Sequence, residues 1–159
     1  MTRYDTGDLV EARRILEIKV VGLAAVRRSP EILDRMGESI DKSVAALAQS
    51  RADIFLEADF EFHMLIAKAS GNRVLEEMMW TTRDMLLDVN KLVIRRPGQM
   101  ESAVAYHRAI MRAVVAGQIG QAEDLMNKHL DSVLLSLNYV QQQDYGQEGG
   151  GAVGGDLEA

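Results

Sequence analysis

The pair of residues best suited to chemistry is Asp59 and His63, which are four positions apart. In one helix this spacing places both side chains on the same face, together with Phe55, Phe62 and Ile66. A carboxylate buried on an apolar face costs several kcal/mol unless a partner compensates its charge. A divalent metal ion bound through one carboxylate oxygen and one imidazole nitrogen is the simplest such partner.

The three histidines of the chain, His63, His107 and His129, all fall on predicted inward faces of helices. A single histidine on such a face is more often a hydrogen-bonded core residue than a ligand. Three of them, with an acid one turn from the first, favour one shared metal site over three separate core histidines. With Asp59 they form a donor set that suits Zn²⁺, Ni²⁺, Mn²⁺ or Fe²⁺. A four-coordinate zinc would be closed and structural, whereas a five- or six-coordinate metal would keep positions for water or a carboxylate.

A divalent ion bound to one aspartate keeps a formal positive charge, which an anionic small molecule could neutralise. Arg13 lies on the apolar stripe of the first predicted helix and could clamp such an anion through its two-pronged guanidinium. The alternative for Arg13 is an ion pair with Glu17 on its own helix. Arg83, at the edge of an apolar face, is a second candidate for ligand contact. Asn72 is a third, although it is better placed to cap a helix.

Six helices are predicted to position these residues, since apolar side chains recur at helical spacing and the body of the chain carries few glycines or prolines. Ser29-Pro30 predicts the start of the second helix, and Gly71 predicts a left-handed residue that ends the third. The helices are expected at about residues 7–28, 30–48, 52–70, 73–94, 101–116 and 120–143. The inner faces predicted for the first and fourth helices carry Leu9, Leu16, Val20 and Leu23, and Met78, Met85, Val89 and Leu92.

Composition narrows the class of protein further. A chain of 159 residues is expected to form one domain, and the absence of cysteine excludes disulfides and thiolate metal sites. A net charge of −6 argues against a nucleic-acid surface within this chain. With no signal peptide and no long apolar segment, we expect a soluble cytoplasmic protein without a membrane partner. Residues 144–159 are rich in glycine and predict a disordered tail.

Four segments of the chain together resemble a known family. They are Glu11-Ala12-Arg13-Arg14-Ile15-Leu16-Glu17, then Asp59-Phe60-Glu61-Phe62-His63 running into Ala69-Ser70-Gly71-Asn72, then His107-Arg108-Ala109-Ile110, and finally Ala122 through Met126 to His129-Leu130. This pattern resembles the FCD domain, the C-terminal effector-binding domain of GntR-type bacterial transcription regulators of the FadR subfamily. Residues 9–143 would then form the FCD-like domain, and residues 1–8 a lead-in to it.

The resemblance implies an all-α antiparallel bundle around a central metal site with Asp59, His63, His107 and His129 as ligands. It also implies that small carboxylates such as hydroxy acids, sugar acids or dicarboxylates bind at or beside the metal, and that the first-helix arginine of the family corresponds to Arg13. Regulators of this kind are usually homodimers in which the ligand changes the placement of two N-terminal winged helix-turn-helix domains.

The sequence departs from this pattern because only eight residues precede the first predicted helix, where a winged helix-turn-helix would stand. We therefore expect a fragment or a free-standing sensor that reaches DNA only through a domain not present in this chain. Two other functions are weighed against this sensor: a metalloenzyme acting on a small organic acid, and a metal-stabilised dimerisation bundle. The enzyme would need a spare acid or base near the metal, and Glu57 and Glu61 are predicted to lie off the Asp59 and His63 face.

Overall fold

The computed structural model of the protein describes residues 5–148. Seven α-helices and no strands are present in this range. The helices are α1 (Thr6–Arg27), α2 (Pro30–Ala48), α3 (Ala52–Ala69), α4 (Arg73–Thr81), α5 (Arg83–Val93), α6 (Gln99–Val115) and α7 (Ile119–Glu148). The prediction of an all-helical fold is confirmed.

The helices form an antiparallel bundle in which α3 packs against α1, α2, α4 and α5, and α7 packs against α1, α5 and α6. Apolar side chains at helical spacing fill the space between them, and Phe62, Ile66, Ile110, Met126 and Leu130 are fully buried. The long helices α1, α3, α6 and α7 therefore surround a common interior. Among residues 5–148, no helix combines the length and apolarity needed to cross a membrane.

The fourth predicted helix, at residues 73–94, is divided into α4 and α5 at Thr82. The hydroxyl groups of Thr81 and Thr82 donate to the carbonyl oxygens of Met78 and Met79, each at 2.7 Å. Threonine hydroxyls that bond to the preceding turn compete with the backbone ladder and allow it to bend. The inner face predicted for this helix began at Met78, and this was wrong. Met79 is buried instead, and Met78 is 50% exposed.

Two predicted helix boundaries are confirmed. Pro30 begins α2 directly after Ser29, and Gly71 has φ +61° in the turn after α3. Asn72 caps α4, since its side-chain oxygen accepts hydrogen bonds from the backbone N–H groups of Val74 and Leu75 at 3.0 and 3.3 Å.

The C-terminal end of the described chain is more helical than predicted. Helix α1 begins at Thr6, close to the start predicted at about residue 7 and inside the segment named as a lead-in, whereas α7 continues to Glu148, beyond the end predicted at about residue 143. The prediction of a disordered tail was therefore wrong for residues 144–148, and residues 149–159 lie outside the described part. This last stretch carries an ion pair that sequence spacing does not reveal, in which Arg95 donates to both carboxylate oxygens of Asp144 at 2.6 and 3.1 Å.

Candidate metal and ligand site

The three histidines converge in the interior of the bundle, where α3, α6 and α7 meet. One ring nitrogen from each of His63, His107 and His129 lies within 4.8 Å of the other two. The ring centroids are 5.0 to 5.3 Å apart, and each residue is at most 3% exposed. Small side-chain rotations would place each of the three nitrogens about 2.0–2.2 Å from one shared metal ion, which is the usual length of a bond between metal and imidazole.

Nδ1 of His63 is buried without a hydrogen-bond partner, although Oε2 of Glu17 lies 2.6 Å away. Nε2 of His107 and Nδ1 of His129 are likewise buried without a partner in the described residues. Burial lowers the pKa of both rings well below the usual value, and the positive charges around them add to this effect. Both rings are therefore neutral near pH 7, with a lone pair available. A buried polar atom left unpaired is costly, and a metal ion would satisfy these nitrogens.

Asp59 lies beside the histidines and is 5% exposed. Its Oδ1 atom is 3.6 Å from Nε2 of His107, and its Oδ2 atom accepts a hydrogen bond of 2.9 Å from Nδ2 of Asn90. Burial raises the pKa of Asp59, and the positive charges of His63 and Arg13 oppose that shift. The structure thus brings the three predicted histidines together and places Asp59 against His107, and their role as metal ligands stays a prediction.

Asn90, on α5, is a functional candidate that the sequence reading missed. It is 7% exposed and orients the Asp59 carboxylate. Its position one turn after Leu86, on the buried face of α5, was the signal that could have revealed it. Replacing a residue that holds a metal ligand in orientation typically weakens metal binding by about 10- to 100-fold.

A second missed residue is Glu17, which is 2% exposed and faces the site from α1. Its two oxygens lie 2.6 Å from Nε of Arg13 and 2.6 Å from Nδ1 of His63. Burial by itself raises the pKa of Glu17, but the positive charges of Arg13 and His63 outweigh it and hold this pKa far below the usual range. The predicted inner face of α1 was wrong here, because Glu17 is buried and Leu16 is only half-buried. A buried glutamate is tolerated at this position because Arg13 is one turn away.

Arg13 makes the ion pair with Glu17 that the sequence offered as one of two alternatives. This contact uses Nε and leaves the rest of the guanidinium for other partners. Its Nη2 atom is 3.5 Å from Nε2 of His63, and its Nη1 atom is buried without a hydrogen-bond partner among the described residues. Pairing with Glu17 therefore leaves donors that an anion could use.

A small cavity adjoins these groups, with walls from α1, α3, α5, α6 and α7. Its polar lining comes from Arg13, Asp59, Asn90, Gln99 and His129, and its remaining lining is largely apolar. The free volume is about 10 Å³, which corresponds to about one water molecule. A ligand larger than water must therefore displace side chains of the walls.

The family of the chain follows from a direct comparison. Residues 8–132 match the model of the FCD domain. The chain belongs to the FCD domain family. The resemblance stated from its sequence motifs is thereby confirmed.

Relatives of this FCD domain are named as transcription regulators. The HTH-type transcriptional regulator LutR of Bacillus subtilis is 30% identical over 138 residues, which are 84% of this chain and 62% of that protein. The putative L-lactate dehydrogenase operon regulatory protein of Escherichia coli is 32% identical over 130 residues, which are 79% of this chain and 49% of that protein.

A solved structure, Streptococcus agalactiae GntR, shares the fold with a TM-score of 0.70 and 25% identity. The match covers 79% of this FCD domain and 56% of that chain. The chain therefore spans about half to three-fifths of the length of the relatives it matches.

Two predicted contact residues of this FCD domain lie away from the cavity. Nη2 of Arg83 is 3.0 Å from both carboxylate oxygens of Glu57, and its guanidinium lies over the rings of Phe60 and Trp80 at 5.5 and 6.0 Å. Asn72 is exposed at the start of α4. Neither lines the cavity, and a role for them in effector binding stays a prediction.

Proposed function

We propose that this FCD domain is the metal-dependent, small-carboxylate sensor domain of a GntR-type transcription regulator of the FadR subfamily. The observation that carries the proposal is the convergence of three buried histidines, each with a nitrogen that forms no hydrogen bond in the described residues, beside Asp59 and the free Nη1 atom of Arg13. Neutral imidazoles favour a cation, whereas an unpaired guanidinium nitrogen favours an anion. His129 of the histidine cluster and Arg13 line the same cavity.

Asp59, His63, His107 and His129 would hold the metal, and imidazole with carboxylate suits Zn²⁺, Ni²⁺, Mn²⁺ or Fe²⁺. The metal would supply a Lewis-acidic position for a carboxylate or hydroxyl oxygen. Arg13 would bind the same anion through the nitrogen that Glu17 leaves free. A relative named for an L-lactate dehydrogenase operon supports a hydroxy acid as the class of effector.

The small size of the cavity links binding to a signal. An acid that enters must move parts of α1, α3, α5, α6 or α7, so binding favours a different packing of the bundle. In a cytoplasmic homodimer this change would alter the placement of the winged helix-turn-helix domains of the regulator. Contact with DNA would come only through those domains.

The metalloenzyme is less well supported. Glu17 is an inward carboxylate that the sequence reading did not identify, but its lowered pKa and its contacts with Arg13 and His63 make it a poor general base. Turnover of L-lactate by the metal-loaded protein would favour the enzyme. A closed structural zinc would show no exchangeable water in the spectrum of a cobalt-substituted sample.

The decisive experiment combines native mass spectrometry with thermal unfolding. The protein as purified should carry one metal ion per chain, and L-lactate, citrate or gluconate should raise its Tm. His107→Ala and His129→Ala should lose both the metal and the shift in Tm. Arg108→Ala, at the exposed position next to His107, is the matched control and should keep both. Unchanged metal content in both histidine variants would reject the proposal.

A further inference from the structure

The cavity contains one polar side chain, Gln99, that neither the histidine cluster nor the arginine requires. Gln99 is the first residue of α6 and is 3% exposed. Its Oε1 atom accepts hydrogen bonds from the hydroxyl groups of Ser136 at 2.7 Å and Ser132 at 3.2 Å. These serines hold one end of the amide against α7.

The other end of this amide remains available. Its Nε2 atom donates no hydrogen bond to any residue within 5–148, although the side chain lines the cavity. This nitrogen is not among the fully buried atoms that lack a partner, so it is a free donor that a small molecule can reach. The surrounding walls come from Val93, Ile94 and Ala103, whose side chains cannot accept its hydrogen bond.

Gln99 is far from the predicted metal ligands, as measured along α6 and α7, the two helices that frame this part of the cavity. It precedes His107 by eight residues on α6, or about 12 Å. Ser136, which contacts Gln99, follows His129 by seven residues on α7, or roughly 10 Å. The cavity therefore has an ionic end near His129 and Arg13 and a second polar position near Gln99.

We infer that Gln99 is a specificity-determining residue, which selects acids that carry a hydroxyl group remote from their carboxylate. This inference rests on the proposed function, since the carboxylate is bound at the histidine and arginine end. The free end of the amide is the donor Nε2, and a hydroxyl oxygen of the acid can accept its hydrogen bond. Because helix rise separates the two polar positions by on the order of 10 Å along the backbone, the hydroxyl should lie several bonds away from the carboxylate.

Two pairs of acids test the inference, measured by calorimetry on the metal-loaded protein. Threonate is compared with 2-hydroxybutanoate, and gluconate with 2-hydroxyhexanoate. Within each pair the carboxylate, the 2-hydroxyl and the chain length are the same, and only the remote hydroxyl groups differ. In one pair or both, the polyhydroxy acid should bind more tightly by roughly two- to tenfold, as one net hydrogen bond would give.

Gln99→Leu should abolish this preference, while affinity for the 2-hydroxy acid and the metal content stay within about twofold of the original values. Gln99→Met provides a second variant of similar length should leucine disturb folding. Gln121→Leu, a matched change at an exposed position of α7, should keep the preference.

The outcomes separate this inference from the sensor proposal. If simple 2-hydroxy acids bind but neither pair shows a preference, or if both Gln99 variants keep it, the role of Gln99 is rejected and the sensor stands. If no acid binds to the metal-loaded protein, both are rejected.

Discussion

At the scale of single residues, the ion pair of Arg13 and Glu17 is the most testable feature, because both side chains are almost fully buried. Removing one partner of a buried ion pair leaves the other charge uncompensated, which typically costs about 3–5 kcal/mol. In metal-free protein, Arg13→Met and Glu17→Gln should each lower the free energy of unfolding by an amount in this range. The double variant should lose much less than the sum, as urea denaturation would measure.

Arg14→Met is the control for this double-mutant cycle of Arg13 and Glu17. Arg14 forms an ion pair with Asp131 at the surface of the bundle, and such pairs contribute about 0–1 kcal/mol. Additive losses for Arg13 and Glu17 would show that the two charges do not compensate each other, and the assignment of a free Nη1 atom would then lose its basis.

Asn90 gives a second prediction at this scale. Replacing it by leucine removes the hydrogen bond that orients the Asp59 carboxylate. Loss of such a supporting contact typically weakens metal binding by about 10- to 100-fold, so Asn90→Leu should release metal to a competing chelator at correspondingly lower concentration. Asn138→Leu, at an exposed position of α7, should not change the titration. Identical curves for both variants would mean that Asp59 is not held in place by Asn90 for metal binding.

At the scale of helices, two glycines near helix boundaries show that backbone geometry decides whether replacement by alanine lowers or raises the free energy of unfolding. Gly71 has φ +61°, and a Cβ atom there would lie 2.8 Å from Nη1 of Arg27. Gly71→Ala should lower the free energy of unfolding by about 1–2 kcal/mol, because a left-handed backbone is unfavourable for alanine. The contact with Arg27 falls at the end of a flexible side chain and should add little.

The matched change at Gly120 should have the opposite effect. Gly120 lies in the first turn of α7, and no atom lies within 4 Å of a Cβ placed there. Alanine should stabilise the protein by about 0.5–1 kcal/mol, since glycine loses more backbone freedom on folding. Urea midpoints of the two variants provide the measurement. Equal shifts in the same direction would contradict the helix boundaries described.

At the scale of the whole molecule, the sequence predicts the class of fold and the residues of the site better than it predicts their partners. His63, His107 and His129 could be assigned to inward faces because helical spacing is local information. The contacts of Asn90 with Asp59 and of Glu17 with His63 join distant segments, which periodicity alone does not pair.

The periodicity of the sequence also fails to identify buried polar side chains whose hydrogen-bond or ion-pair partners are brought near only by the tertiary structure. Glu17 resembles a surface residue until Arg13 and His63 are brought beside it, so Leu16 was assigned to the interior instead. The break at Thr82 coincides with hydroxyl bonds to the preceding turn, and the last stretch of α7 carries an ion pair between Asp144 and Arg95. In each case a short polar contact lies where hydrophobicity alone assigns a different boundary or face.

The proposed metal would connect three helices of the bundle, and its removal should therefore act on parts of the molecule selectively. Asp59 and His63 are on α3, His107 is on α6 and His129 is on α7, whereas α2 and α4 carry no predicted ligand. A metal that binds only the folded state stabilises it by about 4 kcal/mol when its free concentration is a thousandfold above Kd. Chelation should lower the Tm and speed amide hydrogen exchange in α3, α6 and α7 far more than in α4. Identical exchange of α3, α6 and α7 in chelated and metal-loaded samples would show that no shared ion connects these helices.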